Sequence, residues 1–446
     1  MRKGPWYKFL VPVYRRDNGS LFLEQVRLSD LLAKGLPTPF FVYSAAQLDA
    51  DWQAYAQAVA GAAPGAAGSP VIAYAVKANN NPVLMQRLRA QGAGATVVSA
   101  EELGHARQLG FAADKLLLHG SGKRSQDLDA ALTAGALLSI DSEFDLTHLL
   151  QRAAALGRSA RVLLRVNPNI DPQVHPYICT GLLDSKFGMS EAAIEALRPR
   201  LRGMPELTIS GLHCHLGSTL RSAEPVRDAA RLLTPLLARL RSDGHPIDTL
   251  DIGGGLGIDY QRGHAAADEP ALPTPSELVA PLLATARELG LTLWLEPGRS
   301  LVGRCGALIG RVIGEKHTAS KRFLVVDASM AQLIRPCLYQ AYHHIELLEQ
   351  RSEPEEAPPP PCDVVGPVCE SADFLGLDRR LGTPREGDGI IVYDAGAYGF
   401  AMASRYNMHL LCAEYLIDGG QVRCIRRAET YEDFARTFTD KELTFP

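Results

Sequence analysis

Between about residues 70 and 300 the chain alternates two textures. Short runs of aliphatic and β-branched residues give way to longer Ala/Leu/Arg stretches whose apolar positions recur with helical period. The runs are VIAYAVK (71–77), ATVVS (95–99), KLLLHG (115–120), ALLSID (136–141), RVLLRVNP (161–168), LTISGLHCH (207–215), TLDIGGG (249–255) and LTLWLEPGR (291–299). Stretches such as AEELGHARQLG and EPVRDAARLLTPLLARLRSDG carry leucine and alanine on one face and end in glycine, as a helix C-cap would. Eight β/α repeats in this span predict a closed (β/α)8 barrel over 41–299, an α/β fold. A doubly wound open sheet shares the alternation, so the count of eight decides between them.

Past residue 300 the pattern changes to short β-like pieces: ALIGRVIGEK, RFLVVDAS, GIIVYDAG, EYLIDGG and VRCIRRAE. FLVPVY and SLFLEQV near the amino terminus look alike. We therefore expect a second, mostly antiparallel β domain built from 1–40 and 300–446. AGAAPGAAGSP and the proline-rich segment at 353–363 are predicted loops.

Composition narrows the function. With 446 residues, 46% of them hydrophobic, the chain can build two packed domains. The net charge of −4 and the lack of any long lysine/arginine cluster argue against nucleic acid as a partner. No apolar run approaches the roughly 20 residues that span a bilayer, and no signal peptide is read at the amino terminus, so neither membrane association nor export is expected. Eight cysteines without CxxC spacing fit the reducing cytoplasm.

Polar residues gather at the carboxyl ends of the runs: Lys77, Ser99, His119, Asp141, Asn167, His215, Gly253 and Glu296. That is the end at which β/α barrels build active sites. In YAVKANNNP (74–82) partial burial of Lys77 would disfavour the ammonium and offer an amine to an aldehyde as a Schiff base. A lysine that merely snorkels from a strand end is the alternative. GLHCHLGS sets two histidines two apart on one strand face. With no third ligand near in sequence, ring stacking or core packing is expected and no metal site is predicted. In DIGGGLGIDY the turn Gly253, Gly254, Gly255 could admit a phosphate to backbone amides, or serve a tight bend alone. LEPGRS sets Glu296 and Arg299 either side of Gly298, as an ordinary ion pair or as an acid for a pyridinium nitrogen and a cation for an anion. Cys369 and Glu370 in VCESADFLG, and Arg335, Tyr339 and Tyr398, further polar groups amid apolar neighbours, are open to structural or functional roles.

Taken in order, YAVKAN, HPYICTGLLDSKFG, GLHCHLGS, DIGGGLG, EPGRSLVG, LIRPCLYQAYH, GPVCESADFLG and DAGAYGFAMASRYN resemble the pyridoxal-phosphate decarboxylases of the alanine-racemase-like barrel fold, most closely the diaminopimelate decarboxylases. The resemblance runs from about residue 36 to 430. It implies pyridoxal 5'-phosphate attached to Lys77, stacked on His215, held at its phosphate by Ser218, Gly253, Gly254, Gly255 and Tyr398, and contacted at its ring nitrogen by Glu296, with Gly298 and Arg299 completing the cofactor seat. It implies a homodimer with shared active sites, in which Cys369 reaches the partner's site as proton donor.

A substrate carrying amine and carboxylate at its far end needs an acid and a cation there. Arg299, Arg335 and Tyr339, with Tyr398, suit the carboxylate and Glu370 the amine. By this resemblance the expected reaction is meso-2,6-diaminopimelate to L-lysine and carbon dioxide. The chain departs from the family pattern at MHLLCAE (408–414), at Thr96 where many relatives carry an acidic residue, and at the 353–363 insertion. Those departures keep open a decarboxylase of another diamino acid or a conjugate. The same barrel could also carry pyridoxal phosphate without turnover, or racemise an amino acid. The long C-terminal domain speaks against a carrier, and the CES motif against a racemase.

Overall fold

The computed structural model describes residues 13–60, 68–171, 180–182, 184–204, 206–262, 271–351 and 359–440. It resolves into two compact units, Asp49–Asp259 with Ala265–Val302, and Met1–Leu48 with Tyr260–His264 and Gly303–Pro446.

The first unit is a closed barrel of parallel strands: β1 (Val71–Ala75), β2 (Gly94–Val97), β3 (Leu116–Leu118), β4 (Leu137–Ile140), β5 (Ala160–Arg165), β6 (Leu207–His213), β7 (Thr249–Asp251) and β8 (Thr292–Leu295). Each run read from the sequence supplies one strand. β8 closes on β1 through Trp294 opposite Val71 and Leu295 opposite Ile72. Inside, Ala73, Leu117, Leu137, Leu163 and Trp294 form a buried apolar layer. Side chains alternate across a strand, so the residues two positions on face the same interior. From Leu117, Leu163 and Trp294 that step leads to His119, Arg165 and Glu296, all buried. The pleat itself thus sets a polar layer upon an apolar one at the carboxyl rim.

Helix caps account for other rim residues. Ser99, expected among the rim groups, accepts from the Glu102 N–H at 3.1 Å and caps Ala100–Gln108. Ser142 does the same for Glu143–Leu156, and that helix ends on Gly157 at φ 59°, a left-handed C-cap.

In the second unit a nine-stranded sheet contains both antiparallel pairs and the parallel pairs Arg322–Val326 with Cys362–Val365 and Phe40–Ser44 with Ala413–Asp418. Tyr14–Asp17, Ser20–Leu23 and Val26–Arg27 make a separate small sheet, while most of FLVPVY lies outside the described residues. Two details differ from the sequence reading. Phe40–Ser44, at the start of the stretch read as barrel, lies between Gly306–His317 and Ala413–Asp418, because all five of its side chains are buried in that sheet. Cys362 and Asp363, read as the end of a loop, begin a strand; residues 353–358 of that segment lie outside the described residues. Among the described residues no helix is long and apolar enough to cross a membrane.

β6 approaches β7 closely at Gly211, where a Cβ would stand 1.8 Å from the Thr249 carbonyl oxygen. Gly211→Ala is therefore expected to lower stability by roughly 2–3 kcal/mol, read from urea unfolding. An unchanged midpoint would contradict the tight pairing.

Candidate active site at the carboxyl rim of the barrel

Lys77 follows β1 in a single 3-10 turn, Val76–Ala78. The asparagines after it build its support. Tyr74 Oη donates to the Asn79 carbonyl at 2.7 Å, Asn79 Oδ1 accepts from the Asn81 N–H at 3.0 Å, and Asn81 Oδ1 accepts from the Val83 N–H at 3.0 Å, capping Pro82–Ala90. Val76 and Ala78 are buried while Lys77 is exposed. The partial burial expected of this lysine is thus absent: the strand ends two residues earlier and the 3-10 turn leaves the side chain exposed. The segment after β8 reaches this turn, since the Ala75 N–H donates to the Pro297 carbonyl at 3.1 Å. A Cβ on Gly298 would stand 3.1 Å from both Ala75 Cβ and Ala78 Cβ, a tight fit that glycine relieves.

Glu296, 9% exposed, heads the polar layer. Its Oε1 accepts from His119 Nε2 at 2.5 Å and from Thr96 Oγ1 at 3.1 Å. Its Oε2 is 3.8 Å from His213 Nε2. One polar atom each of His119, His213, Asp251 and Glu296 lies within 4.8 Å of all the others. Burial pushes the Glu296 carboxyl up, but the imidazoles of His119, His213 and His215 outweigh it and leave the acid well below the usual carboxylate range. Asp251 goes the other way, raised by burial and by the charge of Glu296. Burial lowers His119, lowers His213 further, and together with the Lys77 charge takes His215 down to about 3. Glu296 is thus held toward its ionised form and Asp251 and the histidines toward their neutral forms, with the buried Arg165 guanidinium close enough to act on Glu296.

Beside it runs the glycine turn. The Gly253 N–H donates to Asp251 Oδ1 at 2.8 Å and the Gly254 N–H to His215 Nδ1 at 3.3 Å. A Cβ would stand 2.1 Å from the Glu296 carbonyl oxygen if placed on Gly254, and 2.1 Å from that of Gly217 if placed on Gly255. Arg299, buried, donates to Ser218 Oγ from Nε at 3.1 Å and from Nη2 at 2.9 Å. Lys77, His215, Ser218, Gly253, Gly254, Gly255, Glu296, Gly298 and Arg299 all belong to the barrel unit.

Arg335, Tyr339, Cys369, Glu370 and Tyr398 belong to the β unit. Arg335 is buried, with Nη1 2.7 Å from His343 Nε2 and its guanidinium 4.7 Å above the Tyr260 ring. Cys369 and Glu370 are exposed. The Cys369 N–H donates to Asn407 Oδ1 at 2.6 Å, and Tyr406 Oη donates to Glu370 at 3.4 Å. Tyr339 is half-buried, and half-buried Tyr398 takes a left-handed φ of 57° in the DAGAYGF turn.

The chain is similar over nearly its whole length to known proteins. Residues 46–303 match the pyridoxal-binding domain of the pyridoxal-dependent decarboxylases. A probable chloroplastic diaminopimelate decarboxylase of Oryza sativa is 43% identical over 95% of this chain and 84% of its own length. The diaminopimelate decarboxylase of Aquifex aeolicus is 39% identical over 94% of this chain and 96% of its own. The chain belongs to the diaminopimelate decarboxylase family. Among solved structures, the diaminopimelate decarboxylase of M. jannaschii in complex with L-lysine superposes with a TM-score of 0.86 at 31% identity, covering 96% of this chain and 98% of that one. That of Helicobacter pylori with L-lysine gives 0.83 at 33%, covering 92% and 98%.

As a member of the diaminopimelate decarboxylase family the chain is a pyridoxal-phosphate-dependent carboxy-lyase, and its residues fit that cofactor. An exposed amine, a backbone cradle that any Cβ would fill, and a buried ionised acid stand on one barrel end. His213 Nε2 is buried with no hydrogen-bond partner among the described residues, as expected of a polar recess built round a bound group. Sequence reading missed Asp251 and the pairing of His119 and His213 with Glu296. Their signal was available: each stands at a strand's carboxyl end, but on different strands whose adjacency only the closed barrel supplies.

The neutral imidazoles make stability pH-dependent. Between pH 7 and 5 the unfolded chain protonates histidines near pH 6.5, while His119, His213 and His215 resist, so stability falls with pH by up to about 1.4 kcal/mol per unit for each. Asp251, raised in the fold, contributes in the opposite sense. The slope of unfolding free energy against pH, from urea titrations of cofactor-free protein, should be shallower for His213→Leu than for wild type. Equal slopes would contradict burial of a neutral His213.

Proposed function

We propose that this chain decarboxylates meso-2,6-diaminopimelate to L-lysine, with pyridoxal 5'-phosphate carried on Lys77. The observation that carries this reading is the exposed Lys77 amine on the same barrel end as the buried Glu296 carboxylate and its His119 and Thr96 donors. When bound, the cofactor supplies an aldehyde that amines capture and a ring that takes up the electron pair of the breaking carbon–carboxyl bond.

The chain's own groups do the rest. Lys77 provides the amine that retains the cofactor and yields to the substrate's α-amine. His215 supports the ring face, kept uncharged by burial and by the nearby lysine. Gly253, Gly254, Gly255, Ser218 and Tyr398 receive the phosphate, and Gly298 brings Arg299 to that seat, where it already holds Ser218. Glu296 holds a proton at the ring nitrogen, which only an ionised acid can do, and the lowered pKa of its carboxyl supports that role. At the substrate's far end Arg299, Arg335, Tyr339 and Tyr398 receive the carboxylate and Glu370 the amine. Arg335 suits this task because its guanidinium is oriented by His343 and Tyr260. Cys369 returns a proton to the carbon that has lost carbon dioxide. It does so in the partner's site of a homodimer, and its exposure supports this. The expected location is the cytoplasm.

A panel assay of carbon dioxide release with meso-diaminopimelate, lysine, ornithine and arginine should give a clear preference for the first. Preference for ornithine would overturn the two-ended recognition, and release from none would favour a cofactor carrier or racemase. Lys77→Ala should abolish both turnover and the bound cofactor's visible absorbance.

Shared sites have their own signature. Lys77→Ala and Cys369→Ala, each inactive or nearly so alone, should regain up to about a quarter of wild-type activity when their subunits are exchanged in a twofold dimer. No regain after proven exchange would place Cys369 elsewhere.

A further inference from the structure

Glu296 uses its two oxygens unequally. Oε1 takes both His119 Nε2 at 2.5 Å and Thr96 Oγ1 at 3.1 Å. Oε2 has His213 Nε2 3.8 Å away, and Asp251, held toward its protonated form, is the further group that hydrogen-bonds the Glu296 carboxylate. The donors on Oε1 are themselves fixed by the barrel. Thr96 lies within β2, and the His119 N–H donates to the Val97 carbonyl of that strand at 2.9 Å. The His119 ring lies 4.3 Å from that of His213, and Thr96 and His119 are both buried.

The charge state of His119 matters as much as its position. A protonated imidazole would hold the acid and also cancel its field. A neutral imidazole with its proton on Nε2 fixes the carboxylate and leaves its charge intact, and burial favours the neutral form here. Thr96 adds a second uncharged donor. Both are of the kind that orients a charged group without neutralising it.

We propose that His119, with Thr96 beside it, is a positioning residue: the pair seats Glu296 through Oε1 and reserves Oε2, with the acid's full charge, for the ring-nitrogen proton of bound pyridoxal phosphate. This inference rests on the reading that Glu296 serves that nitrogen. It assigns a use to Thr96, a departure from the family pattern: a hydroxyl donates to Glu296 where a second carboxylate would repel it.

Four purified enzymes test it: wild type, His119→Gln, which retains an N–H donor, His119→Leu, which fills the space without one, and Thr96→Val, which keeps the shape and loses the hydroxyl. His119→Leu should lower kcat on meso-diaminopimelate at least about tenfold while KM changes less than about threefold. It should also weaken pyridoxal-phosphate binding to the cofactor-free protein and shift the pH titration of the bound cofactor's absorbance. His119→Gln should recover most of each effect, and Thr96→Val should show them in the same direction but smaller. His119→Leu with wild-type spectrum, affinity and kcat would overturn the proposal. So would His119→Gln as impaired as His119→Leu with equal melting temperatures. Should His119→Leu not fold, Thr96→Val decides: wild-type spectrum and kcat would overturn the proposal. A wild-type chain that takes up no pyridoxal phosphate would instead overturn the functional reading, a result distinct from a loaded enzyme indifferent to these substitutions.

Discussion

A negative charge buried at the head of a parallel barrel governs the arrangement described above. Taking a carboxylate out of water costs several kcal/mol unless donors replace the lost solvent. For Glu296 they come from β2 and from the residue just past β3, while β6 and β7 contribute His213 and Asp251 to the same polar layer. Each comes from a different strand, so the charge is tolerable only when the barrel is closed and in register. The apolar layer beneath, with Trp294 two residues before Glu296 on the same strand face, makes that register the one that also buries hydrocarbon.

The same constraint explains the glycines. Gly254 lies against the Glu296 carbonyl and Gly255 against that of Gly217, so the turn can bring its amides inward only because no side chain intervenes. Gly253 donates to Asp251 and Gly254 to His215. The turn is thereby tied to the buried polar cluster on one side and to an imidazole on the other.

Much of this was legible in the sequence. The alternating pattern named all eight barrel strands, because strands buried on both faces read as short apolar runs bounded by turn signals. The motifs around Lys77, GLHCHLGS, DIGGGLG and LEPGRS marked the rim. Four things were not legible. The exposure of Lys77 depends on a 3-10 turn that the strand-like run VIAYAVK hides. Ser99 was indistinguishable from a site residue, since a helix cap wants the same hydroxyl at the same place. The partnership of Thr96, His119, His213 and Asp251 with Glu296 joins residues as far as 200 positions apart, and no local pattern encodes it. Phe40–Ser44 was assigned to the barrel for a related reason: a fully buried strand carries no label saying which sheet it will join.

The asparagine-built support of Lys77 has a kinetic consequence. Because Asn79 and Asn81 commit their side chains to the neighbouring backbone, the turn carrying Lys77 is held by hydrogen bonds, and the amine departs from it only by the torsions of its own side chain. In the proposed reaction the amine, once displaced, would stay within reach at an effective molarity that no dissolved nucleophile could match. It would then act as an internal competitor that expels product before water or a second substrate intervenes, and would retain the prosthetic group between cycles instead of losing it to solution.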